Sequence, residues 1–575
     1  MSTESGGARI STEHVRNFVT SMLDAYRGMG IGLAQYAWGV LLPTFVFAVG
    51  SVVGLAYLPV PLEIGLPIAG LGVFSFTIAV AYPKVVQDRQ KKEVRERYHL
   101  FVTHITVLSM TNIDRVEIFR TLADEDEYKS LAVEMGHLVA LVDTFNQSLE
   151  DACRIRAKKV ASPLLSNFFE RLAYTVGAGQ AMDEFLINEQ DSIIQQFVTR
   201  YESDLTKIDV LKELYLSLML SSTFILVFAI VIPLLIGINP AFAVGGVAAL
   251  FVVVQTGFVF TLHTVSPYDP IWFRSDSEGH PLDMRFRIAL AVGAIGSLVA
   301  IGVTYAILTG RTPYAPDVLP LPIFMALPFT PLLIPGLAIR AEENRIKERD
   351  EEFPRFIRAL GAVESVKQTS TANVLATLRK KDFGSLTASI DALYKRLSMR
   401  IDDTRSWRLF AAENGSYLIQ KFGDMYVLGR SMGGDPNQLG QVISRNLSEV
   451  AKLRDKRGQA TSTFIGVVYG LTASSAFAFF VGIEVVELLI QISESMNLDS
   501  SMMSFLLNSE VYNLPLIEYL LLLVLLLNCL LSAVMIRVID RGHLMNSYVH
   551  FVMLSWVAAV TGVLTREAVG ALITI

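Results

Sequence analysis

The sequence predicts an all-α, polytopic membrane protein. Of its 575 residues, 52% are apolar and only 18% are charged, and the mean hydropathy is +0.44. Apolar stretches that could cross a bilayer alternate with polar, helix-patterned stretches. The polar stretches show no period-two alternation of the kind that marks a half-buried strand. These observations together favour transmembrane helices that flank helical domains outside the bilayer.

Nine apolar stretches are long enough to span, since a helix needs about 20 residues to cross roughly 30 Å of hydrocarbon. They cover residues 36–58, 62–82, 214–238, 241–265, 288–309, 318–339, 464–487, 515–536 and 544–565. The sixth contains five prolines, which predicts a kink. The ninth is followed at once by Arg566 and Glu567 and is the least certain. We therefore predict about nine transmembrane helices.

Two polar inserts of about 120 residues separate the spans, and each can bury a helical core of its own. Sliding the first insert onto the second by about 255 positions superposes Phe101 on Phe356 and Gly179 on Gly434. These identities alone are no better than chance. The repeated order of span, helical insert and span is the signal, and it predicts a duplicated unit.

Local start and stop signals place about six helices in the first insert. Ser162-Pro163 predicts a helix start, and Gly177 to Gly179 predicts the matching stop. The last helix begins near Met182 and continues into the third span. The second insert repeats this organisation, with stops at Asn414-Gly415 and Gly433-Gly434 and a last helix that begins at Asp435-Pro436 and runs into the seventh span.

These elements predict six segments. They are an N-terminal amphipathic segment at 1–35, two transmembrane helices in 36–83, a first helical domain at 84–213, four transmembrane helices in 214–339 with a loop near 266–287, a second helical domain at 340–463, and three transmembrane helices in 464–575. Lysine and arginine are concentrated in alternate connecting segments. By the positive-inside rule, the N-terminus and both inserts are cytoplasmic and the C-terminus lies outside.

Composition and motifs argue against catalysis. The net charge of -6 disfavours a nucleic-acid partner. The sequence contains no phosphate-binding loop, no H-E-x-x-H and no C-x-x-C, so we expect no cofactor and no metal. Residues Gly429 to Gly433 match G-x-S-x-G, but that motif needs a strand–turn–helix setting. Here the glycines are interpreted as a helix stop. Cys153 and Cys529 lie in unrelated contexts and are interpreted as small apolar residues.

Four basic clusters are the candidate partner-binding residues. Their members are Arg89, Lys91, Lys92, Arg95 and Arg97; Arg154, Arg156, Lys158 and Lys159; Arg379, Lys380 and Lys381; and Lys452, Arg454, Lys456 and Arg457. The positive-inside rule and a solvated helix face explain much of this charge. The second and third clusters are far from any span in sequence, which favours them as a docking face for an acidic partner.

Three carboxylates lie near the predicted outer ends of two spans: Glu484, Glu487 and Glu518. Charge within a span could mark an ion or proton path. No lysine or arginine stands beside these residues in the sequence. Solvation at the membrane interface is therefore favoured over transport.

The arrangement resembles a known family. Two cytoplasmic six-helix inserts flanked by spans, with charged entries at Lys84–Phe101 and Arg340–Phe356, look like the F-domain platform proteins of type II secretion and type IV pili. Duplication and about nine spans make the chain most similar to the archaellum branch of that family. The resemblance covers nearly the whole chain and rests on architecture.

The resemblance implies a function and partners. A non-enzymatic platform in the cell membrane would couple a hexameric secretion ATPase, acting on the charged insert faces, to assembly of filament subunits and to rotation with other motor components. It also implies a homodimer. A platform for an adhesion pilus shares every physical feature and remains open. A secondary transporter would need discontinuous spans around a midplane site, for which the sequence offers only the proline-rich sixth span.

Overall fold

The structure is a computed structural model that describes residues 36–57, 76, 79, 80, 82, 91–236, 240–273, 281–311, 319–495 and 514–573. The predicted segment 1–35 and most of the predicted second span lie outside these residues. Within them every regular element is a helix, apart from an isolated bridge between Trp272 and Ser416. The all-α fold class is therefore confirmed for this part of the chain. The chain forms two compact units, Met1–Ile193 and Ile194–Ile575.

The first unit holds the helices of the first insert. A π turn at Ala37–Leu41 leads into α1 Leu42–Tyr57, which precedes the insert. The helices of the insert are α2 at 91–109, α3 Arg115–Ala123, α4 Ser130–Asp143, α5 Leu149–Ala157, α6 Pro163–Gly177 and the start of α7 Met182–Ile236, with a 3-10 turn at Asp126–Tyr128. The boundary between the units falls inside α7, which continues unbroken into the apolar sequence of the predicted third span.

Side-chain caps and turn residues explain these boundaries. Asp114 caps α3 by accepting a hydrogen bond from the backbone N–H of Val116, and Ser148 caps α5 through Asp151. Pro163 occupies the first turn of α6, as predicted, where its missing N–H costs nothing. Gly179 follows α6 with φ +73°, a conformation that glycine adopts without strain.

The core of the first unit is aromatic. Phe101, Phe119 and Phe168 are fully buried, and the rings of Tyr98 and Phe168 meet edge to face with centroids 6.2 Å apart. The thiol of Cys153 is buried in the same unit, and burial raises its pKa to about 12. The thiol therefore stays protonated, in keeping with its interpretation as a small apolar residue.

The second unit holds the rest of the chain. Beyond α7 its helices are α8 Pro240–Val265, α9 Pro281–Leu308, α10 Leu321–Ala326, α11 Leu333–Lys367, α12 Thr371–Leu378, α13 Thr387–Ser398, α14 Asp403–Asn414, α15 Tyr417–Ser431, α16 Pro436–Ser495, α17 Leu514–Asp540 and α18 Ser547–Ile573, with 3-10 turns at Leu327–Leu332, Gly384–Leu386 and Leu544–Asn546. A stop predicted at Asn414-Gly415 is found there, with Gly415 at φ +63°.

Seven described helices are long and apolar enough to cross a membrane. They run over Met182–Pro233, Pro240–Val265, Met284–Leu308, Leu321–Lys367, Pro436–Ile492, Leu514–Asp540 and Leu544–Ala571. Each of these helices contains most of one predicted span, from the third to the ninth. The first predicted span appears as the shorter helix α1, and the second lies mostly outside the described residues. The count of nine therefore stays a prediction.

The proline-rich sixth span is irregular, as expected. Its α-helical path changes to a 3-10 turn over Leu327–Leu332, which contains Pro328 and Pro331, before α11 begins. Proline lacks the N–H that an α-helix needs and clashes with the preceding turn. Gly293 and Gly296 of α9 pack against Pro331 and Pro335, leaving no room for a Cβ. Neighbouring helices thus accommodate this distortion.

The helices of the two inserts correspond in order and spacing. α3, α4, α5, α6 and α7 begin 254 to 257 residues before α12, α13, α14, α15 and α16 respectively. Phe101 and Phe356, which the predicted offset superposes, are both fully buried. Gly179 corresponds to Gly433, with φ +87°, and not to the predicted Gly434. The exact bounds of the two domains stay predictions.

Polar side chains join the apolar helices of the second unit. The hydroxyls of Tyr215 and Ser532 lie 3.3 Å apart, and those of Thr223 and Ser475 lie 2.9 Å apart. Gln255 also bonds to Asn528. Hydrogen bonds of this kind hold helices together where apolar burial gives no driving force.

α11 and α16 cross at a pair of glycines. A Cβ added at Gly361 would overlap the carbonyl oxygen of Pro436 and lie 3.2 Å from the Cα of Gly440. A Cβ at Gly440 would lie 3.0 Å from the carbonyl oxygen of Ile357. Because both obstacles are backbone atoms, no side-chain rotation could relieve the overlap. The two long helices of the second insert can approach this closely only with glycine at the crossing.

We expect Gly361→Ala to lower the free energy of unfolding by about 1–3 kcal/mol, the usual cost of overpacking a close contact. Gly458→Ala is the matched control, because a Cβ at that α16 position meets no atom within 4 Å. Helix propensity favours alanine at both sites by up to about 1 kcal/mol, so only the crossing differs. Chemical unfolding in detergent micelles, followed by circular dichroism, measures both. Equal stability of the two variants would contradict the close crossing.

Candidate functional site

The first predicted basic cluster lies at the start of α2. Arg89 falls outside the described residues. Lys91 and Lys92 are half-buried, with Lys92 placed 3.6 Å from Glu96. Arg95 is exposed, whereas Arg97 is buried. Among the four described members of this group, Arg95 is the exposed cation.

The second and third clusters lie mostly on the surface. Arg154 pairs with Glu150, and Arg156 is held by Glu134 with Nε 3.0 Å from the carboxylate. Lys158 and Lys159 are exposed.

In the third cluster the guanidinium of Arg379 lies 3.2 Å from Asp391 and 4.5 Å from the ring centroid of Tyr394. Lys380 and Lys381 are exposed. Both clusters keep accessible lysines, so their docking role stays a prediction that the geometry permits.

The fourth cluster divides into two pairs on α16. Lys452 and Lys456 are exposed and pair with Glu449 and Glu202. The side chains of Arg454 and Arg457 are only 10% and 4% exposed and point into the protein. Those two arginines therefore pair with carboxylates of the same chain and cannot contact a partner protein in this conformation.

Arg454 is the centre of a buried ion cluster. Its Nε and Nη2 atoms donate to Asp269 at 2.9 and 2.7 Å, and its Nη1 donates to Asp350. The side chains of Asp269 and Asp350 are only 8% and 3% exposed. Burial opposes the charge of Arg454, but these carboxylates outweigh it and raise the pKa of the guanidinium. The arginine therefore stays charged throughout the accessible pH range.

Arg457, one helical turn further along α16, extends the cluster to α7. Its Nη1 lies 3.5 Å from Asp269, and its Nη2 donates to the carbonyl of Pro267 at 2.7 Å. The guanidinium also sits 5.0 Å from the ring centroid of Tyr201, within cation–π range. One arginine thus connects α16, α7 and the segment that follows α8.

That segment, 266–273, is bonded to the second insert through its backbone. The N–H of Phe273 donates to Gly415 at 2.8 Å, and the N–H of Tyr417 donates to Ile271 at 3.0 Å. These bonds form the isolated bridge at the junction of α14 and α15. Next to them Ser416 donates its hydroxyl to Asp350. A short connection between two apolar helices is therefore fixed to the base of the helical insert.

Glu343, near the start of the polar part of α11, accepts a second set of bonds. Trp272 donates its indole N–H at 2.9 Å, Asn546 donates its amide at 2.8 Å, and the backbone N–H of His543 donates as well. Lys347, one turn later, lies 3.2 Å from Asp540. α11 is thereby tied to the loop between α17 and α18.

We refer to Asp269, Glu343, Asp350, Arg454 and Arg457 as the basal joint. It fastens the second insert to the ends of α8, α17 and α18 with ion pairs and hydrogen bonds, and to the middle of α7 through the contact of Arg457 with Tyr201. A cavity of about 700 Å³ beside it is lined by charged side chains that include Lys347, Asp350 and Arg454. The joint therefore fixes the second insert to these helices through buried, mutually paired charges.

The basal joint was not predicted from the sequence. Asp350 stands in a run of charges that suggests a solvated helix face, and Asp269 lies in a short loop. One signal was available for Arg457. It follows Val450 and Leu453 at helical spacing, on the stripe that the structure buries. A cation on an apolar stripe indicates a buried counter-charge.

The outer carboxylates have a partner that the sequence did not suggest. Arg566 of α18 lies 3.1 Å from Glu484 of α16 and 2.8 Å from Glu518 of α17. No lysine or arginine stands beside these carboxylates in the sequence, but the fold brings Arg566 next to two of them. Pairing between three helices, and not solvation alone, accounts for two of these charges.

No catalytic arrangement emerges around the remaining motif. The G-x-S-x-G residues lie at the end of α15, where the hydroxyl of Ser431 donates to the carbonyl of Leu428 at 2.8 Å. The predicted helix stop is found there. Within the described ranges, no group of three or more His, Cys, Asp and Glu side chains is placed to hold a metal ion.

Comparison with known proteins decides the family. Residues 101–230 match the type II secretion system protein F family. Flagella accessory protein J of Methanocaldococcus jannaschii is 33% identical over 501 residues, covering 86% of this chain and 88% of that protein. The chain belongs to the family of flagella accessory protein J. The protein of the same name from Methanococcus voltae is 30% identical over 499 residues, covering 86% of this chain and 89% of its own length.

Membership of the flagella accessory protein J family confirms the resemblance drawn from the sequence. A shorter similarity, 25% identity over 138 residues, links 24% of the chain to 23% of an uncharacterized protein from Methanocaldococcus jannaschii. No solved structure gives a significant match. With its seven span-capable helices, this member of the family is a multi-pass membrane protein.

Proposed function

We propose that the chain is the membrane platform of an archaellum, coupling a cytoplasmic secretion ATPase to filament subunit assembly and rotation. Similarity to a family member over 86% of the chain supports the proposal that the chain is a membrane platform. The ATPase would act on both helical inserts, which face the cytoplasm with the N-terminus, while the C-terminus lies outside. The chain acts as a mechanical adaptor and not as an enzyme. It works as a homodimer beneath a hexameric ATPase.

The basal joint and the long helices support the mechanical part. α7 and α16 each run unbroken from a helical insert into apolar sequence. α16 is also clamped at Arg454 and Arg457 to the segment between α8 and α9. A push on the second insert would therefore move several apolar helices together. The exposed basic residues at Arg379–Lys381 and Arg154–Lys159 are the proposed contacts for the ATPase.

Binding of the purified ATPase to the full-length chain in lipid nanodiscs tests the proposal. We expect charge reversal to glutamate at Arg379, Lys380 and Lys381 to weaken binding at least about tenfold, since like charges facing each other across an interface cost several kcal/mol. Arg345→Glu with Arg355→Glu is the matched control. Both arginines are exposed, at 63% and 75%, and lie outside the predicted clusters.

Each outcome of this experiment has a defined meaning. Selective loss of binding in the cluster variant supports ATPase docking at that face. Equal losses in cluster and control variants would indicate a general charge effect and contradict a specific docking face. If the wild-type chain fails to bind the ATPase under any nucleotide condition, the coupling proposal is wrong.

A further inference from the structure

A groove lies at the end of the second insert that is remote from the apolar helices. α11 leaves the apolar region near Arg340 and ends at Lys367, about 40 Å further at 1.5 Å per residue. The turn after α11, the turn between α13 and α14 and the end of α15 meet there. Together they line a cleft of about 940 Å³. This distal groove faces the side from which a cytoplasmic partner would approach.

On the inner wall of the distal groove, the carboxylate of Glu364 is hydrogen-bonded by side chains of the same chain. Glu364 is 2% exposed and accepts hydrogen bonds from Thr371 at 3.0 Å, Tyr426 at 2.7 Å and Arg430 at 3.0 Å. These bonds fix the shape of the cleft. Its wall is therefore preformed, and a ligand would not need to order it.

The outer wall carries exposed acidic charge. Asp402 and Asp403 are both exposed, and no ion pair within the described chain involves either of them. The carboxyl of Asp403 reaches solvent but is partly covered, and this partial burial, followed by the nearby carboxylates of Asp402 and Glu364, raises its pKa. Arg400 also lines the cleft and is exposed, so the exposed charges leave one net negative. A positive charge brought between the two aspartates would relieve their repulsion.

An exposed apolar side chain stands beside this acidic wall. Met399, 67% exposed, lies in the turn between α13 and α14, between the lining residues Ser398 and Arg400. Methionine is enriched at protein interfaces relative to the rest of the surface.

We propose that the distal groove is a docking site for a cytoplasmic protein that inserts an arginine or lysine between Asp402 and Asp403 and packs a neighbouring apolar side chain on Met399. The basic cluster borders this groove, since Arg379 stacks on Tyr394, which lines the cleft. The partner surface would then carry a basic side chain beside acidic ones. Opposite charges placed side by side fix the register of a contact better than a single sign does.

This inference rests on the proposed function, in which the partner is the secretion ATPase. The first test uses Asp402→Asn with Asp403→Asn in the full-length chain in nanodiscs. Asparagine at 402 retains the cap on α14, where Asp402 accepts from the N–H of Arg405. We expect ATPase binding to weaken about five- to tenfold and to become less sensitive to salt between 50 and 500 mM, because exposed charge pairs are screened by salt.

A matched control removes the same amount of charge elsewhere. Glu348→Gln with Asp455→Asn neutralises two exposed carboxylates on α11 and α16, near the other end of the insert. Binding should stay within about twofold of the wild type. Loss of binding by the control to the same degree would overturn the groove assignment in favour of a net-charge effect.

A further variant tests the apolar contact. Met399→Ser should also weaken binding while keeping the wild-type salt dependence, because the lost contact is uncharged. The side chain of Met399 is exposed, so circular dichroism should show an unchanged fold. If the wild type binds and all groove variants bind equally well, the groove proposal is wrong and ATPase coupling stands. If the wild type does not bind, both are overturned. A changed oligomeric state in the groove variants would instead assign the groove to a second copy of the chain.

Discussion

Replacing Arg454 with methionine is expected to lower the free energy of unfolding by about 3–5 kcal/mol, since removing one partner of a buried ion pair leaves the other charge uncompensated. Arg454 is 10% exposed and is paired with both Asp269 and Asp350. Arg457 stays 3.5 Å from Asp269 and would partly neutralise it. The ion pairs of the described residues give Asp350 no second base. Most of the loss should therefore come from the buried charge at Asp350.

Two further variants separate the loss of charge from the loss of packing. Lys452→Met removes a cation two residues away whose pair with Glu449 is exposed, and such surface pairs are worth about 0–1 kcal/mol. Combining Arg454→Met with Asp350→Asn removes both charges of that pair and leaves Asp269 paired with Arg457, which should restore most of the lost stability. Chemical unfolding in detergent micelles measures all of these variants.

Equal stability of Arg454→Met and Lys452→Met would contradict a buried joint. A double variant as unstable as the single one would show that the hydrogen bonds matter and the buried charge does not. Those hydrogen bonds include the one from Arg454 to the carbonyl of Pro270 at 3.0 Å. Recovery in the double variant would show that the joint uses charge to hold a fixed geometry. In that case the double variant should fold well yet assemble filaments poorly.

The helices could be predicted from the sequence because their ends carry local signals. Pro163 begins α6 and Pro436 begins α16, while Gly179, Gly415 and Gly433 end helices with positive φ. Each of these effects acts within one turn of the chain, so no tertiary information is needed. The repeat offset follows from the same signals, because both inserts use them in the same order.

The basal joint could not be predicted because its partners are far apart in the chain. Arg454 meets Asp350 across 104 residues and Asp269 across 185. A run of charges gives no indication of which carboxylate will be covered. Arg566 shows the same limit, since its partners Glu484 and Glu518 lie 82 and 48 residues away. A charged residue in a sequence is expected to be exposed, but the fold can bury it when it brings an oppositely charged residue close.

The distal groove was missed for a different reason. Met399 stands in a short connection, where a single apolar residue is common and carries no periodic signal. Its exposure, and the opening between two turns that are about 30 residues apart in the chain, emerge only from the fold. The neighbouring cluster at Arg379–Lys381 was found because three consecutive cations are visible in the sequence. A run of charged residues can be seen in the sequence, whereas a cleft between distant segments can be seen only in the folded structure.

The second large effect concerns the rigidity of α7. We expect Thr206→Pro to abolish filament assembly, because the proposed adaptor needs an unbroken helix from Met182 to Ile236. Proline at this position removes the backbone hydrogen bond to Glu202 and clashes with its carbonyl, which kinks a helix at a cost of about 3 kcal/mol or more. The side chain of Thr206 is exposed and bonds only its own helix, to Glu202 at 3.0 Å. Its removal therefore disturbs no packing.

Thr206→Ala is the matched control, since it removes the same hydroxyl and keeps the helix continuous. Filaments per cell, counted by electron microscopy at equal amounts of the protein in the membrane, provide the measurement. Cells with Thr206→Ala should carry as many filaments as wild-type cells, and cells with Thr206→Pro should carry none. ATPase binding, measured in nanodiscs, should persist in both variants, because the docking faces are untouched. Normal filaments on the proline variant would show that α7 need not be rigid, and force would then have to pass through the basal joint and α16 alone.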